Sequence, residues 1–316
     1  MSATKLLRFH VADPTHGEVP CAAVVPAAPV ERLPICAFLY GGGGSRESLA
    51  VIEPLLSAWW AAGTLPPMIV ATPDVGPMSF YLDDPARGIA WESFVASRFV
   101  ADLRRRFGAT SVATPLGLVG ISMGGYGALK IAFAEPQRFV AVAAVSPMIE
   151  PALDVAEVRP RNCFHYPPDV PAALLGPIAT RDAALYRRDH PAARALADGA
   201  ALRSSALAIY VDAAGRDALN AHDGAEHLHR VLWHLDVAHE YRLRRDADHV
   251  GPTLVARLRD AFEWVGRYLS PPPTAAPSDD HRAWLAIRAQ LEPMRAAAER
   301  RDPSVARRYG LLPAIE

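Results

Sequence analysis

Cysteine is scarce in this chain. Cys21, Cys36 and Cys163 are the only three in 316 residues, an odd number with no C-x-x-C pair. A disulfide framework and a zinc ribbon are therefore excluded as the basis of the fold. An excess of charge is also missing, with 33 Lys+Arg set against 34 Asp+Glu and a pI near 6.8. Proteins that grip nucleic acid by neutralising phosphates carry a basic surplus, so that class of partner is set aside. Long apolar runs are absent too. The long uncharged stretch Pro54–Pro73 is broken by Gly63, Pro66 and Pro67, and no membrane span is expected. The opening residues, Met1–Val11, alternate polar and apolar types and do not read as a secretion signal. The expected setting is reducing and cytoplasmic. What remains is a chain that is 51% hydrophobic, too apolar for disorder and long enough to bury a core without staples.

Short apolar runs bounded by Pro or Gly predict strands at Leu6–Val11, Val19–Val25, Ile35–Tyr40 and Met68–Thr72. Further strands are expected at Leu116–Ile121, Val140–Val145, Leu207–Val211 and Glu240–Leu243. Between them, helical periodicity predicts a helix capped by Ser45 and running to Ala62, then Trp91–Phe107, Gly124–Ala134, Ala218–Leu235 and Pro252–Leu269. This alternation implies an α/β fold, a mainly parallel sheet flanked by helices. Residues 150–204 are rich in proline and show no strand pattern, and they read as a lid-like insertion over the sheet. The expected organisation is a domain over 1–269, a Pro-rich linker over 270–279 and a helical tail over 280–316. In the tail, Trp284, Ile287, Leu291 and Met294 form a 3-4-3 stripe. Docking onto the same chain is the favoured reading, with homo-oligomer contact the alternative.

The informative stretch is Gly120-Ile121-Ser122-Met123-Gly124, a G-x-S-x-G placed between a predicted strand and a predicted helix. That is the setting of a nucleophile elbow, in which the serine hydroxyl stands at the carboxyl edge of the sheet. The turn strains the serine backbone, and glycine two residues to either side relieves the crowding. The Met123 N–H then begins the next helix and can face a developing oxyanion. A phosphate-cradling loop would need its lysine beside the glycines, whereas Lys130 lies more than a turn further along.

A serine needs a base and an orienting acid, in the chain order Ser, Asp/Glu, His for this elbow. His249 follows a predicted strand and precedes Pro252, which suits the first turn of a helix. Asp212 and Asp217 both stand near the end of the preceding strand; Asp217 is preferred because a loop can carry it beneath the histidine. Tyr40 and the Gly41–Gly44 run lie where a second oxyanion donor is expected. His222, His227, His229, His234 and His239 cluster in sequence without H-E-x-x-H spacing. They are read as a solvated helix face, and no metal or cofactor is expected.

With these residues in place, the chain resembles the putative-esterase family of α/β-hydrolases, which includes esterase D, the feruloyl esterases and the antigen 85 mycolyltransferases. The resemblance spans roughly residues 30–268 and rests on Gly120–Leu129, Gly215-Arg216-Asp217 and Asp248-His249. Pro73–Gly76, Ser79–Tyr81 and Trp91–Phe94 add to it. It implies Ser122 as nucleophile, His249 as base, Asp217 as orienter, and the N–H groups of Gly42 and Met123 as oxyanion hole. The implied activity is hydrolysis of a small carboxylic ester or thioester through an acyl-serine. Acyl transfer to an alcohol or sugar, and a non-catalytic hydrolase-fold binding protein, are the alternatives. Tyr40, Phe164 and Tyr166 are candidate substrate contacts, the last two equally candidates for the insertion's own core.

Overall fold

Eight of the apolar runs form one sheet in the computed structural model of the chain, which describes residues 4–26, 33–107, 114–162, 183–271 and 279–301. The strands are β1 (Lys5–Asp13), β2 (Gly17–Val25), β3 (Ile35–Leu39), β4 (Ile69–Pro73), β5 (Leu116–Ile121), β6 (Ala141–Val145), β7 (Ala208–Ala214) and β8 (Glu240–Arg244). Their order is β1-β2-β4-β3-β5-β6-β7-β8. The β1/β2 and β2/β4 pairs are antiparallel, and every pair from β4 to β8 is parallel. Strands β3, β4 and β6 are buried along their whole length, which is why they read as unbroken apolar runs rather than alternating ones. The edge strand β8 has the sequence EYRLR and is largely half-exposed, charge that discourages pairing with another chain.

The helices are α1 (Ser48–Ala61); α2, a continuous run of Trp91–Ser93, π-helical Phe94–Phe99 and Val100–Arg106; α3 (Met123–Ala134); α4 (Ala183–Asp189); α5 (Pro191–Ser204); α6 (Ala221–His234); and α7 (Leu254–Leu269). Two glycines of β5 show how the layers divide. A Cβ on Gly117 would lie 2.7 Å from Val265 of α7, and one on Gly120 would lie 2.1 Å from the Gly124 carbonyl of α3. Residues three apart on a strand face opposite ways. So α7 covers one face, with Phe262 against Trp59 of α1 at 6.1 Å, and α3, α5 and α6 pack side by side on the other.

Several expectations need correction. Helix α1 starts at Ser48, not after Ser45: the Ser45 hydroxyl accepts from the Glu47 N–H, closing a turn before the helix. Helix α6 starts at Ala221 because Asp217 and Asn220 make a turn there. The 150–204 span is not wholly a lid. Its described residues are 150–162 and 183–204, and α5 belongs to the flanking helix layer, with Ala192, Ala195, Gly199 and Leu202 buried. That face is built from small residues, so it carries little apolar signal in the sequence. Cys21 and Cys36 are buried free thiols, and burial raises the Cys21 thiol to about 12; Cys163 lies outside the described residues.

The chain divides into two units, Met1–Pro271 and Pro272–Glu316. The second contains α8 (Asp279–Arg301), which runs continuously through Pro293. Among the described residues, no helix is long and apolar enough to cross a membrane.

Candidate active site

The parallel strands bring their carboxyl ends to one edge, and the connections leaving β5, β7 and β8 meet there. Ser122 occupies the sharp turn from β5 into α3, with φ +57° and ψ −120°. That conformation costs an L-residue about 1–3 kcal/mol, and the surrounding contacts maintain it. The Ser122 N–H donates to Val145 O at 2.9 Å, and its carbonyl accepts from Tyr126 and Met148. The flanking glycines act differently from the sequence expectation. A Cβ on Gly124 would meet Leu39 O at 1.9 Å, and one on Gly120 would meet Gly124 O at 2.1 Å. The crowding they relieve is backbone against backbone, not side chain against Ser122.

His249 Nε2 lies 2.9 Å from Ser122 Oγ, and His249 Nδ1 lies 2.7 Å from Asp217 Oδ2. An ionised carboxylate only accepts, so Nδ1 carries the proton towards Asp217 and Nε2 is left to accept from the serine hydroxyl. Asp217 is itself oriented, since its Oδ1 accepts from the Leu219 N–H at 2.8 Å. Asp212, the other candidate acid, is directed elsewhere: its carboxylate accepts from Arg257 Nε at 2.6 Å and Arg244 Nε at 3.2 Å. Burial raises the Asp212 carboxyl above its ordinary range even though both arginines oppose the shift. Asp248 braces the histidine loop, accepting from the Ala218 N–H at 2.9 Å and the His249 N–H at 2.6 Å. These two amide hydrogen bonds hold its carboxyl below the usual range. Sequence reasoning did not weigh Asp248 or Arg257 as site residues, although an arginine at a buried position of the amphipathic helix α7 was a signal.

Two backbone donors stand near the serine. Gly41 approaches so closely that a Cβ there would lie 3.2 Å from Ser122 Cβ and 3.7 Å from its Oγ. Gly43 and Gly44 spend their N–H groups on Pro77 O and Gly41 O. Among the described residues, the Gly42 and Met123 amides have no acceptor. The serine opens into a cavity of about 660 Å³, whose walls include Val51, Ile52, Met78, Leu219, Leu254 and Leu258. Tyr40 lines this cavity, but its hydroxyl is committed to the next loop, accepting from the Val75 N–H at 2.7 Å and donating to Gly76 O at 3.2 Å. Phe164 and Tyr166 lie outside the described residues.

The histidines of α6 and beyond are not a uniformly solvated face. His222, His227, His229 and His239 are half-buried and only His234 is exposed. His229 and His239 meet at 2.8 Å, and His229 stacks on Tyr241 at 4.5 Å. Among the described residues no three acidic, histidine or cysteine side chains are grouped to hold a metal.

The family model described as "Putative esterase" matches residues 65–250, a span that holds Ser122, Asp217 and His249. The chain belongs to the putative-esterase family. It is thus a member of a family of carboxylic ester hydrolases. Solved structures agree on the fold of this putative esterase. A ferulic acid esterase is 19% identical, with TM-score 0.66 over 84% of this chain and 98% of that one. An S-formylglutathione hydrolase from Agrobacterium tumefaciens is 17% identical, with TM-score 0.62 over 85% of this chain and 96% of its own. Mycobacterium tuberculosis MPT51 (FbpC1) is 15% identical, with TM-score 0.62 over 84% of this chain and all of its own. A comparison with curated proteins found no match.

Proposed function

We propose that this putative esterase hydrolyses uncharged carboxylic esters or thioesters through an acyl-serine on Ser122. The observation that carries the reading is the unbroken relay from Ser122 Oγ to His249 to Asp217, at 2.9 and 2.7 Å. In the first half-reaction Ser122 Oγ attacks the carbonyl carbon as His249 Nε2 takes its proton. The carbonyl oxygen becomes an oxyanion, and the free Gly42 and Met123 amides are the donors available to it. The imidazolium formed is stabilised by Asp217 and returns its proton to the leaving alcohol or thiol. In the second half-reaction water replaces the alcohol, His249 again takes the proton, and the acid is released.

The cavity supports the uncharged part of the reading. Apart from His249 and Tyr40, its described lining has no ionisable side chain. Among the described residues of the first unit, Val51 and Val250, 75% and 65% exposed, are the most exposed large apolar side chains, and both line this cavity. Among the described lining residues a substrate carboxylate meets no Lys or Arg, whereas a hydrocarbon group would bury apolar surface worth about 25 cal/mol per Å².

The test is p-nitrophenyl acetate turnover together with fluorophosphonate labelling and mass spectrometry. Wild type should show a burst and a single adduct on Ser122, and Ser122→Ala should fold but lose both. Undiminished turnover by Ser122→Ala would overturn the reading.

A further inference from the structure

Helix α7 carries one side chain that its packing does not require. Arg257 lies among Leu258, Ala261 and Phe262 on the buried side of the helix and is 2% exposed. A leucine there would satisfy the apolar layer, whereas a guanidinium must be stripped of water. Such burial is tolerated when every donor meets an acceptor, and here the fork reaches three separate segments. Nε donates to Asp212 Oδ1 at 2.6 Å, Nη2 to Ser146 Oγ at 2.5 Å, and Nη1 to Asp248 O at 2.8 Å. Asp212 belongs to β7, Ser146 follows β6 directly, and Asp248 immediately precedes His249.

The three contacts differ in what they restrain. Asp212 and Ser146 are already tied together, because the Ser146 N–H donates to Asp212 O at 2.7 Å. Ser146 is also the neighbour of Val145, whose carbonyl accepts the Ser122 N–H at 2.9 Å. Two arms of the guanidinium therefore grip the strand ends that hold the nucleophile. The third arm grips the loop that holds the histidine. That loop includes exposed Val250 and a glycine, Gly251, at φ +151°, and the guanidinium acts beside the Asp248 carboxylate that braces it on the Ala218 and His249 N–H groups.

We propose that Arg257 is a positioning residue, whose guanidinium, anchored on Asp212 and Ser146, fixes the Asp248 carbonyl and so keeps His249 Nε2 within hydrogen-bond reach of Ser122. This rests on the reading of Ser122 and His249 as nucleophile and base. The planar fork is essential to the role: an ammonium is a point charge that cannot span three acceptors in fixed directions. A drift of about 1 Å in the histidine would stretch the 2.9 Å contact past useful hydrogen-bond length, and such misplacement can cost about 10²-fold in rate.

The experiment compares full-length wild type with Arg257→Gln, Arg257→Lys and Ser146→Ala. Each is checked for folding by circular dichroism and assayed with p-nitrophenyl acetate well below its melting temperature. Arg257→Gln should lower kcat about 10²-fold while KM stays within about twofold, as expected for an interaction that matters in the transition state. Fluorophosphonate labelling should slow in parallel. The kinetic pKa on the acid limb should move, because the His249 ring is no longer held squarely against Asp217. Arg257→Lys should recover only part of kcat, and Ser146→Ala, which leaves the Asp212 pair intact, should lose several-fold. A folded Arg257→Gln with wild-type kcat and pH profile would overturn the proposal. Should that variant not fold, wild-type kcat and pH profiles in both Arg257→Lys and Ser146→Ala would overturn it equally. Neither result would touch the serine reading, which fails only if wild type neither labels nor turns over, or if Ser122→Ala stays active.

Discussion

The buried charges beneath α3 make the sharpest stability prediction. The Lys130 side chain is fully buried, with Nζ 3.0 Å from Glu92 Oε2 and 3.5 Å from Asp189 Oδ1. Arg194 joins both acids: it pairs with Glu92 through Nη1 and Nη2, and its Nη2 lies 3.1 Å from Asp189 Oδ1. Arg188 pairs with Asp189 from a more exposed position. Glu92→Leu would leave three cations around one carboxylate, with Lys130 still sealed from water. Removing one partner of a buried pair costs about 3–5 kcal/mol. At roughly 2–4 °C per kcal/mol for a domain of this scale, the melting temperature should fall by about 6–20 °C. Lys130→Met added to Glu92→Leu removes the stranded ammonium and leaves Asp189 with Arg188 and Arg194. The double variant should regain about 2 kcal/mol, a coupling that a double-mutant cycle in urea reads directly.

The same network sets an acid limit. Burial pushes the Glu92 and Asp189 carboxyls up, but Lys130 and the arginines outweigh it and leave both below their ordinary values of 4.5 and 3.8. A lowered folded-state pKa adds stability that is complete above the unfolded value and lost as pH falls through the folded one. Wild-type stability should therefore decline below about pH 4.5, and the double variant should decline less steeply. A cost under about 1 kcal/mol for Glu92→Leu, or no recovery in the double variant, would refute the reasoning.

Three further outcomes are expected. Ser122→Gly should abolish acyl-enzyme formation yet raise stability by about 1 kcal/mol, since relief of the positive-φ strain exceeds glycine's added chain entropy; thermal melts compared with Ser122→Ala check this. Gly124→Ala should fail to give soluble folded protein, because its Cβ would lie 1.9 Å from Leu39 O; a yield and melt matching wild type would contradict the tight elbow. Asp217→Asn should keep the fold and lower kcat roughly 10³–10⁴-fold by favouring the wrong histidine tautomer, while Asp212→Asn should lower stability and, by loosening the Arg257 anchor, reduce kcat far less than Asp217→Asn does.

Much of the architecture was legible because its signals are local. Strand positions followed from apolar runs bounded by Pro and Gly, and the eight strands lie within a few residues of those expected. Helix starts were less legible: the Ser45 hydroxyl closes a local turn on the Glu47 N–H, and the Ala218 N–H is taken by Asp248 from 30 residues away. Helix α5 escaped notice because Ala192, Ala195 and Gly199 form a small-residue seam without apolar contrast. The substrate role expected of Tyr40 met a hydroxyl already engaged by Val75 and Gly76, a partnership between segments 35 residues apart.

By itself the sequence determined the parallel α/β sheet and the identity of the elbow serine, since five consecutive residues dictate that turn. It also placed one acid and one histidine after later strands. The sequence favoured Asp217 over Asp212 only as the residue in a loop; the tertiary structure sets Asp217 against His249 and gives Asp212 to two arginines. Asp212 and Asp217 are five residues apart and equal in chemistry, but one ends inside the sheet beside Arg257 and the other in a loop that reaches the imidazole. Desolvation and distance, neither of which a linear sequence contains, separate a carboxylate paired with arginines from one hydrogen-bonded to a histidine.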